Sequence, residues 1–223
     1  MPEYPTQQLT DDIARSLSPD EFDRAAQHAH TAFDALNAGI IGRKGVILAC
    51  GEGCAVCCSL RVDVFAHEVF PIAHHIRRHF TAGEITDVMA RLAAHAAKIL
   101  PLTPFEHATQ NNVCPLLQNS RCSVYAVRPH SCRRHHSRDF ATCQFTYDHP
   151  TDLEAPAAHD RDLYRALTGA MQQNIDVYSD LGFDHTIYEL GTALHEALSD
   201  PESWQRWRDR GQAFLHASVT PAA

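Results

Sequence analysis

The order of apolar and polar residues along the chain predicts a structure built mostly from α-helices. The clearest helix start is Ser18-Pro19-Asp20-Glu21, where serine can cap the helix, proline suits its first turn and Glu21 can complete a capping box. We expect Gly39 or Gly42 to end this helix. Its apolar residues recur at helical spacing and are Phe22, Ala25, Ala29, Ala32, Phe33 and Leu36.

Helical spacing returns on both sides of a central region. Pro101 and Pro104 should end the helix that precedes this region, because proline cannot continue a helix. Ser199 or Asp200 should cap the last helix, and residues 60–64 alternate as a short extended segment would. The predicted helices span about residues 66–80, 82–100, 161–178, 185–198 and 201–215.

Between residues 103 and 150 the periodicity disappears, and cysteine, proline, arginine and histidine accumulate. A loop of this length is uncommon in a compact domain unless something orders it, and a coordinated metal would do so. We therefore expect one mostly α domain, residues 1–223, wrapped around an irregular cysteine-rich centre. Its metal-binding core should span about residues 46–145, with flanking helices in 1–45 and 150–223.

Composition and charge exclude several partners. The net charge of −8 opposes binding to nucleic acid. No stretch approaches the ~20 apolar residues that span a bilayer, so no membrane partner is expected. The N-terminus lacks the basic start and apolar centre of a secretory signal, which favours a cytoplasmic protein. In that reducing compartment, clustered cysteines more often indicate metal binding or catalysis than disulfides.

The eight cysteines form two clusters that we interpret as metal ligands. Gly51 and Gly53 lie inside the first cluster and can supply the unusual backbone angles that a wrap around a metal needs. The second cluster carries its cysteines one at a time on turn-forming stretches. The candidate ligands are Cys50, Cys54, Cys57 and Cys58 in the first cluster, and Cys114, Cys122, Cys132 and Cys143 in the second.

These residues carry a resemblance to a known family. The first cluster, followed by Cys114-Pro-Leu-Leu, Cys122-Ser-Val-Tyr and Arg128-Pro-His-Ser-Cys132-Arg133, resembles the bacterial cysteine-cluster family of zinc- or iron-chelating CxxCxxCC domains. The same motif is similar to that of flagellin lysine N-methylase. The resemblance covers about residues 46–140, and Glu68 falls where the family has a glutamate at a helix start. Cys50 and Cys54 are separated by three residues instead of two, and Cys143 is additional.

The identity of the metal stays open between two alternatives. Zinc prefers four tetrahedral ligands, usually delivered by two cysteine knuckles, and only one knuckle is present here. Iron–sulfur clusters accept cysteines from irregular loops, which favours a 4Fe–4S cluster over zinc. Because Cys57 and Cys58 point in different directions on most backbones, only one of them should bind a given metal atom. Seven or eight thiolates also leave room for a second site, although we hypothesise that both clusters serve one centre.

Three other functions compete with simple metal binding. The spacing of Cys50, Cys54 and Cys57 resembles the cluster motif of radical S-adenosylmethionine enzymes, but Val56 replaces the usual aromatic residue and no strand–helix repeat is predicted. A thiol redox protein using Cys54 with Cys57 or Cys58 would need a thioredoxin-like pattern that is absent. The methylase resemblance allows a group-transfer or redox role, which leaves enzymatic activity open and any protein or small-molecule substrate unidentified.

Two further sets of residues are candidates for binding. Arg128 and Arg133 belong to a basic run that can either offset thiolate charge or bind an anionic cofactor next to the centre. His75 and His79 are four residues apart on a predicted helix, a spacing that can hold a metal. Without an intervening glutamate in a metalloprotease arrangement, an ordinary surface helix face is the competing interpretation.

Overall fold

A computed structural model describes residues 4–16, 18–51, 53–155 and 157–220, and its mostly helical architecture confirms the predicted fold class. Short strands and two 3-10 turns, Val56–Ser59 and Tyr125–Val127, complete the described chain. The helices are α1 (Thr6–Arg15), α2 (Pro19–Lys44), α3 (Ala66–His79), α4 (Ala82–Ile99), α5 (Pro104–Ala108), α6 (His130–Arg134), α7 (Phe140–Asp148), α8 (Arg161–Asp180), α9 (Leu190–Ser199) and α10 (Ser203–Arg208).

The strands form one small sheet and one hairpin. In the sheet, β4 (Ile187–Glu189) lies between β1 (Asp63–Val64) and β5 (Val219–Thr220), and both pairings are antiparallel. The hairpin pairs β2 (Leu117–Gln118) with β3 (Arg121–Cys122). The sheet therefore joins the segment just after the first cysteine cluster to the C-terminal part of the chain.

The start of α2 agrees with the sequence prediction, whereas its end does not. The Ser18 side chain accepts the Glu21 N–H, and the Glu21 carboxylate accepts the Ser18 N–H at 2.9 Å, which completes the capping box. The predicted end at Gly39 or Gly42 is wrong, because the helix continues to Lys44. It ends at Gly45, whose φ of 61° is the left-handed conformation that glycine adopts without strain.

Two predicted C-terminal helices are shorter than expected. The helix predicted from residue 185 begins at Leu190, because residues 187–189 form β4, which pairs with β1 and β5, and the Glu189 carboxylate then caps α9. The helix predicted to reach residue 215 ends at Arg208. The chain turns there, with Arg210 at a φ of 66°. Glu202 occupies the N-cap position of α10 instead of Ser199 or Asp200.

Short elements occupy the region that the pattern predicted to be irregular. Pro104 does not end α4, which stops at Ile99, but lies in the first turn of α5 after the Thr103 cap. Helices α6 and α7 and the hairpin follow. Each of these elements has nine residues or fewer, which is too short to give a periodic signal in the sequence.

One hydrophobic cluster contains buried side chains from Tyr4 to Phe214. Helices α3 and α4 pack against α9, and α2 packs against α1, α3 and α8. From the central region, Leu116 and Val124 join this cluster. Most of the core is therefore built from helices outside the cysteine-rich segment. Within the described ranges, every helix is too short or too polar to cross a lipid bilayer.

The buried His67 should make stability depend on pH. It hydrogen-bonds to Asn174 at 3.0 Å and stacks on Tyr178, and burial lowers its pKa to about 4. The unfolded chain therefore takes up this proton first, at its ordinary value near 6.5. We expect the free energy of unfolding to fall between pH 6.5 and pH 4, by up to about 3 kcal/mol from this group.

Urea unfolding measured at several pH values tests this effect. Replacing His67 by Phe removes the titrating group, so the variant should lose less stability over the same pH interval, whatever its stability at pH 7. An equal loss in the variant and the wild type would show that His67 is not the group responsible.

Gly191 is expected to be essential for packing. A Cβ atom at this position would lie 2.4 Å from Cδ2 of His95, whose ring is fixed by a 3.0 Å hydrogen bond to buried Glu189. Gly191→Ala should therefore lower the free energy of unfolding by roughly 1–3 kcal/mol. Gly169→Ala is the matched control, because this exposed position in α8 has open space around it and alanine favours a helix. Equal stability of the two variants in urea unfolding would contradict the predicted clash.

Candidate metal centre

A tight turn shapes the first cysteine cluster. Gly53 has a φ of 84°, and the Cys54 N–H donates to the carbonyl of Gly51 at 3.1 Å. The prediction that glycine supplies an unusual backbone angle here is therefore confirmed for Gly53. It is wrong for Gly51, whose φ is not positive. The 3-10 turn of residues 56–59 follows and carries Cys57 and Cys58 on adjacent positions.

Backbone hydrogen bonds join this turn to the second cluster. The Cys114 N–H donates to the carbonyl of Cys58 at 2.7 Å, and the Asn112 N–H donates to the carbonyl of Ser59 at 3.0 Å. The two segments therefore run side by side, although more than fifty residues separate them in sequence. This pairing places Cys58 and Cys114 at the same point of the fold.

The hairpin returns Cys122 to the neighbourhood of Cys114. Asn119 and Ser120 both have positive φ angles, of 50° and 60°, as a two-residue hairpin turn with the twist of its strands requires. Cys122 consequently lies opposite Leu117, whose N–H donates to the carbonyl of Cys114 at 3.0 Å.

A buried carboxylate positions the helix that carries Cys132. Glu68 accepts the backbone N–H of His130 at 2.9 Å and lies 3.3 Å from its Nδ1. Burial alone would raise the pKa of Glu68, but the hydrogen bond from His130 and the nearby His67 outweigh it, so the pKa is lowered. Glu68 is 6% exposed. Its ionised carboxylate thus fixes the first residue of α6, two positions before Cys132.

Cys50 and Cys143 lie on the other side of the 3-10 turn. The Ala49 N–H donates to the carbonyl of Ser137 at 2.8 Å, and the Ser137 N–H donates to the sulfur of Cys50 at 3.3 Å. Helix α7, which carries Cys143, packs against the turn of residues 56–59. No sequence pattern predicts the role of Ser137, since that role depends on a contact between segments far apart in the chain.

Electrostatic contacts place the eight thiols in two groups that overlap at Cys57, which also acts on Cys132. The pKa of Cys58 is affected by Cys57 and by Cys114, Cys122 and Cys132, whereas that of Cys50 is affected by Cys54, Cys57 and Cys143. We refer to Cys58, Cys114, Cys122 and Cys132 as the inner set, and to Cys50, Cys54, Cys57 and Cys143 as the outer set. Cys50 and Cys54 are exposed, and none of the eight forms a disulfide.

Most of these thiols are held in the protonated form. Burial raises the pKa of Cys114 to about 12, and it also raises the pKa of Cys132, Cys122 and Cys50. A hydrogen bond from the Cys57 thiol to the Cys58 sulfur raises the pKa of Cys57 and lowers that of Cys58. Since metals bind thiolates, loading this centre must release protons.

The donors are all sulfur atoms, which fits a thiophilic metal, but they do not converge on a single point. Both sets consist of sulfur alone, which suits zinc or an iron–sulfur cluster. Among the His, Cys, Asp and Glu side chains that the structure describes, no group of three or more converges closely enough to bind a single metal ion. The thiols of each set are therefore near one another without forming a compact tetrahedral site.

The two arginines proposed for cofactor binding have different surroundings. The Arg133 side chain is only 2% exposed and donates to Asp34 at 2.5 Å and to the carbonyls of Arg128 and Ala126. Arg128 lies over the ring of Tyr125, with its guanidinium carbon 3.6 Å from the ring centroid. The ion pair of Arg133 with Asp34 thus connects α6 to α2. Arg128 makes fewer hydrogen bonds within the protein than Arg133 does.

Comparison with known proteins gives a family match that coincides with the cysteine-bearing segment. Residues 49–146 match the model of the CxxCxxCC family, described as "Putative zinc- or iron-chelating domain". The match includes all eight cysteines and Glu68. No curated protein and no solved structure shows significant similarity to the chain.

Proposed function

Because residues 49–146 of this chain belong to the CxxCxxCC family of zinc- or iron-chelating domains, we propose that the protein binds two metal centres, one in each set of four cysteines. The geometry of the backbone carries this proposal: hydrogen bonds bring Cys58, Cys114 and Cys122 together. Cys50 is held separately by Ser137, and Cys143 by the packing of α7 against the 3-10 turn. Cys57 and Cys58 are adjacent but belong to different sets, which agrees with the expectation that neighbouring cysteines serve different metal atoms.

The inner set has the stronger structural support. Its four cysteines come from the 3-10 turn, the hairpin and α6, and backbone hydrogen bonds or the Glu68 carboxylate fix each of these elements. The outer set combines the loop of residues 50–54 with Cys57 and with α7. Its more exposed position makes it the centre that exchanges more readily with solvent or with a partner.

We propose that the metal groups are 4Fe–4S clusters. A cubane cluster offers one iron atom to each cysteine, so its ligand sulfurs stand farther apart than four thiolates around one zinc ion. The delivery of the cysteines from loops, a hairpin and short helical turns, with only one two-residue knuckle, supports the cluster over zinc. When bound, such a cluster supplies one-electron chemistry, and the protein residues supply the thiolates, the Ser137 N–H donor to Cys50 and the burial that sets its potential.

One hydrophobic cluster that contains side chains from Tyr4 to Phe214 supports the proposal that residues 1–223 form a single domain around these centres. In this arrangement Glu68 and Arg133 are positioning residues, and Arg128 is the basic residue available to an anionic ligand. No step of a reaction is assigned to them.

Purification without oxygen, followed by metal and acid-labile sulfide analysis, tests the proposed function. We expect a brown protein with iron and sulfide in equal amounts and a broad absorption that bleaches on reduction. A colourless sample with stoichiometric zinc would overturn the iron–sulfur assignment while leaving thiolate metal binding in place. A sample without bound metal after reconstitution with iron and sulfide, or with zinc, would overturn both.

A further inference from the structure

A cavity between α2 and α3 presents a second kind of metal donor. It has a volume of about 160 Å³, and its lining residues include His75, His79 and Arg78 from α3, and Asp23, Gln27 and His30 from α2. No cysteine lies among its lining residues in the described part of the chain. The cavity is therefore separate from the centre described above.

His75 and His79 have the spacing and the approach of a chelating pair. They are one turn apart on the same face of α3, and their ring centroids are 4.5 Å apart. Imidazole nitrogens bind late first-row metals at about 2.0–2.1 Å, which two rings at this separation can do together.

Ion pairs occupy the charged side chains next to the histidine pair. Arg78 contacts Asp20 and Asp23, each at 2.7 Å. Asp23 also accepts a hydrogen bond from Nδ1 of His74 at 2.8 Å. The Asp23 carboxylate is therefore already engaged, and the two imidazoles of His75 and His79 are the donors of the site.

His30 forms part of the cavity wall but does not offer its Nδ1 to the cavity. The residue is 4% exposed, and its Nδ1 is buried without a hydrogen-bond partner among the described residues. Its ring lies against His130, with the ring centroids 5.0 Å apart. The donors of the site are therefore His75 and His79, and His30 is not one of its ligands.

We propose that His75 and His79 bind a divalent late first-row metal ion such as Ni²⁺ or Zn²⁺ in this cavity, with water completing the coordination. The site has imidazole ligands and so differs from the thiolate centres in the metals it accepts, because imidazole suits Zn²⁺, Ni²⁺ and Cu²⁺ whereas thiolates favour softer ions and clusters. The protein would then carry metal in two chemically distinct environments.

Titration of the anaerobically purified full-length protein with Ni²⁺, followed by calorimetry and absorption spectroscopy, tests this site. We expect one Ni²⁺ to bind without a sulfur-to-metal charge-transfer band. His75→Ala and His79→Ala should each weaken this binding at least roughly tenfold, since each removes a ligand and not merely an outer contact. His28→Ala, a substitution of an exposed histidine on α2, should leave it unchanged.

Unchanged Ni²⁺ affinity in both α3 variants, with their helical circular dichroism intact, would overturn the proposal. A charge-transfer band together with this unchanged affinity would place the ion on cysteine, whereas a band accompanied by the expected loss of affinity in both variants would show that Ni²⁺ also occupies cysteine sites and would support the proposal. The comparison among variants does not require occupied cysteine sites, so this result and the failure of the iron–sulfur proposal are distinguishable.

Discussion

Replacing either of two adjacent cysteines by serine should remove a different half of the bound metal. Cys58→Ser should empty the inner set and Cys57→Ser the outer set, so that each variant keeps about four of about eight iron atoms. The two substitutions lie in the same 3-10 turn, so their effects on backbone packing are closely matched. Iron and sulfide analysis of the anaerobically purified variants measures the outcome.

Double variants decide which cysteines act together. Cys58→Ser combined with Cys132→Ser changes one set twice, so half of the metal should remain. Cys57→Ser combined with Cys132→Ser changes both sets, so all of it should be lost. If every single variant loses nearly all metal, the eight cysteines serve one centre and the division into two sets is wrong.

Removing the metal should loosen the central segment without unfolding the helices. The hydrophobic cluster is built mainly from α1, α2, α3, α4, α8 and α9, none of which carries a cysteine. Leu116 and Val124 are the only fully buried apolar side chains that residues 103–150 contribute in the described structure. Structural zinc contributes ~10–16 kcal/mol of folding free energy in small peptides. Losing the metal should therefore disorder a segment that has so little hydrophobic core of its own.

Circular dichroism and limited trypsin digestion of chelated protein measure this effect. Most of the helical signal should persist, and new cleavage should appear between Thr103 and Pro150. Arg121 and Arg138 are exposed and should be cut before the buried Arg133. Two outcomes contradict this prediction: a single cooperative loss of helical signal, or equal resistance of the stripped and metal-loaded forms to cleavage in this segment.

The parts of the fold that depend on local sequence could be predicted, and those that depend on distant pairing could not. Ser18 and Glu21 are three residues apart, so the start of α2 is visible in the sequence. The strand before α9 exists because Tyr188 pairs with Val64, more than a hundred residues away. No local pattern contains that information, and α9 was therefore predicted to begin too early. Helix α1 begins after Pro5, which occupies the N-cap position and has no side-chain oxygen to cap the helix, and no bounds were predicted for it.

The same distinction applies to the candidate site. Residue types and spacing identified the cysteines and also the position of Glu68. They did not reveal which cysteines lie together. That depends on the backbone hydrogen bond from Cys114 to Cys58 and on the positive φ angles of the hairpin turn at Asn119 and Ser120. The unsatisfied Nδ1 of His30 is likewise a property of packing between α2 and α3, and no sequence pattern contains it.

Native mass spectrometry of the anaerobically purified protein tests the central claim most directly, because it counts intact metal groups on each chain. The two-centre account predicts a mass increase equal to two 4Fe–4S clusters, with Cys57→Ser and Cys58→Ser each retaining one cluster. A wild-type chain that carries a single cluster, or one that carries only zinc, would contradict it.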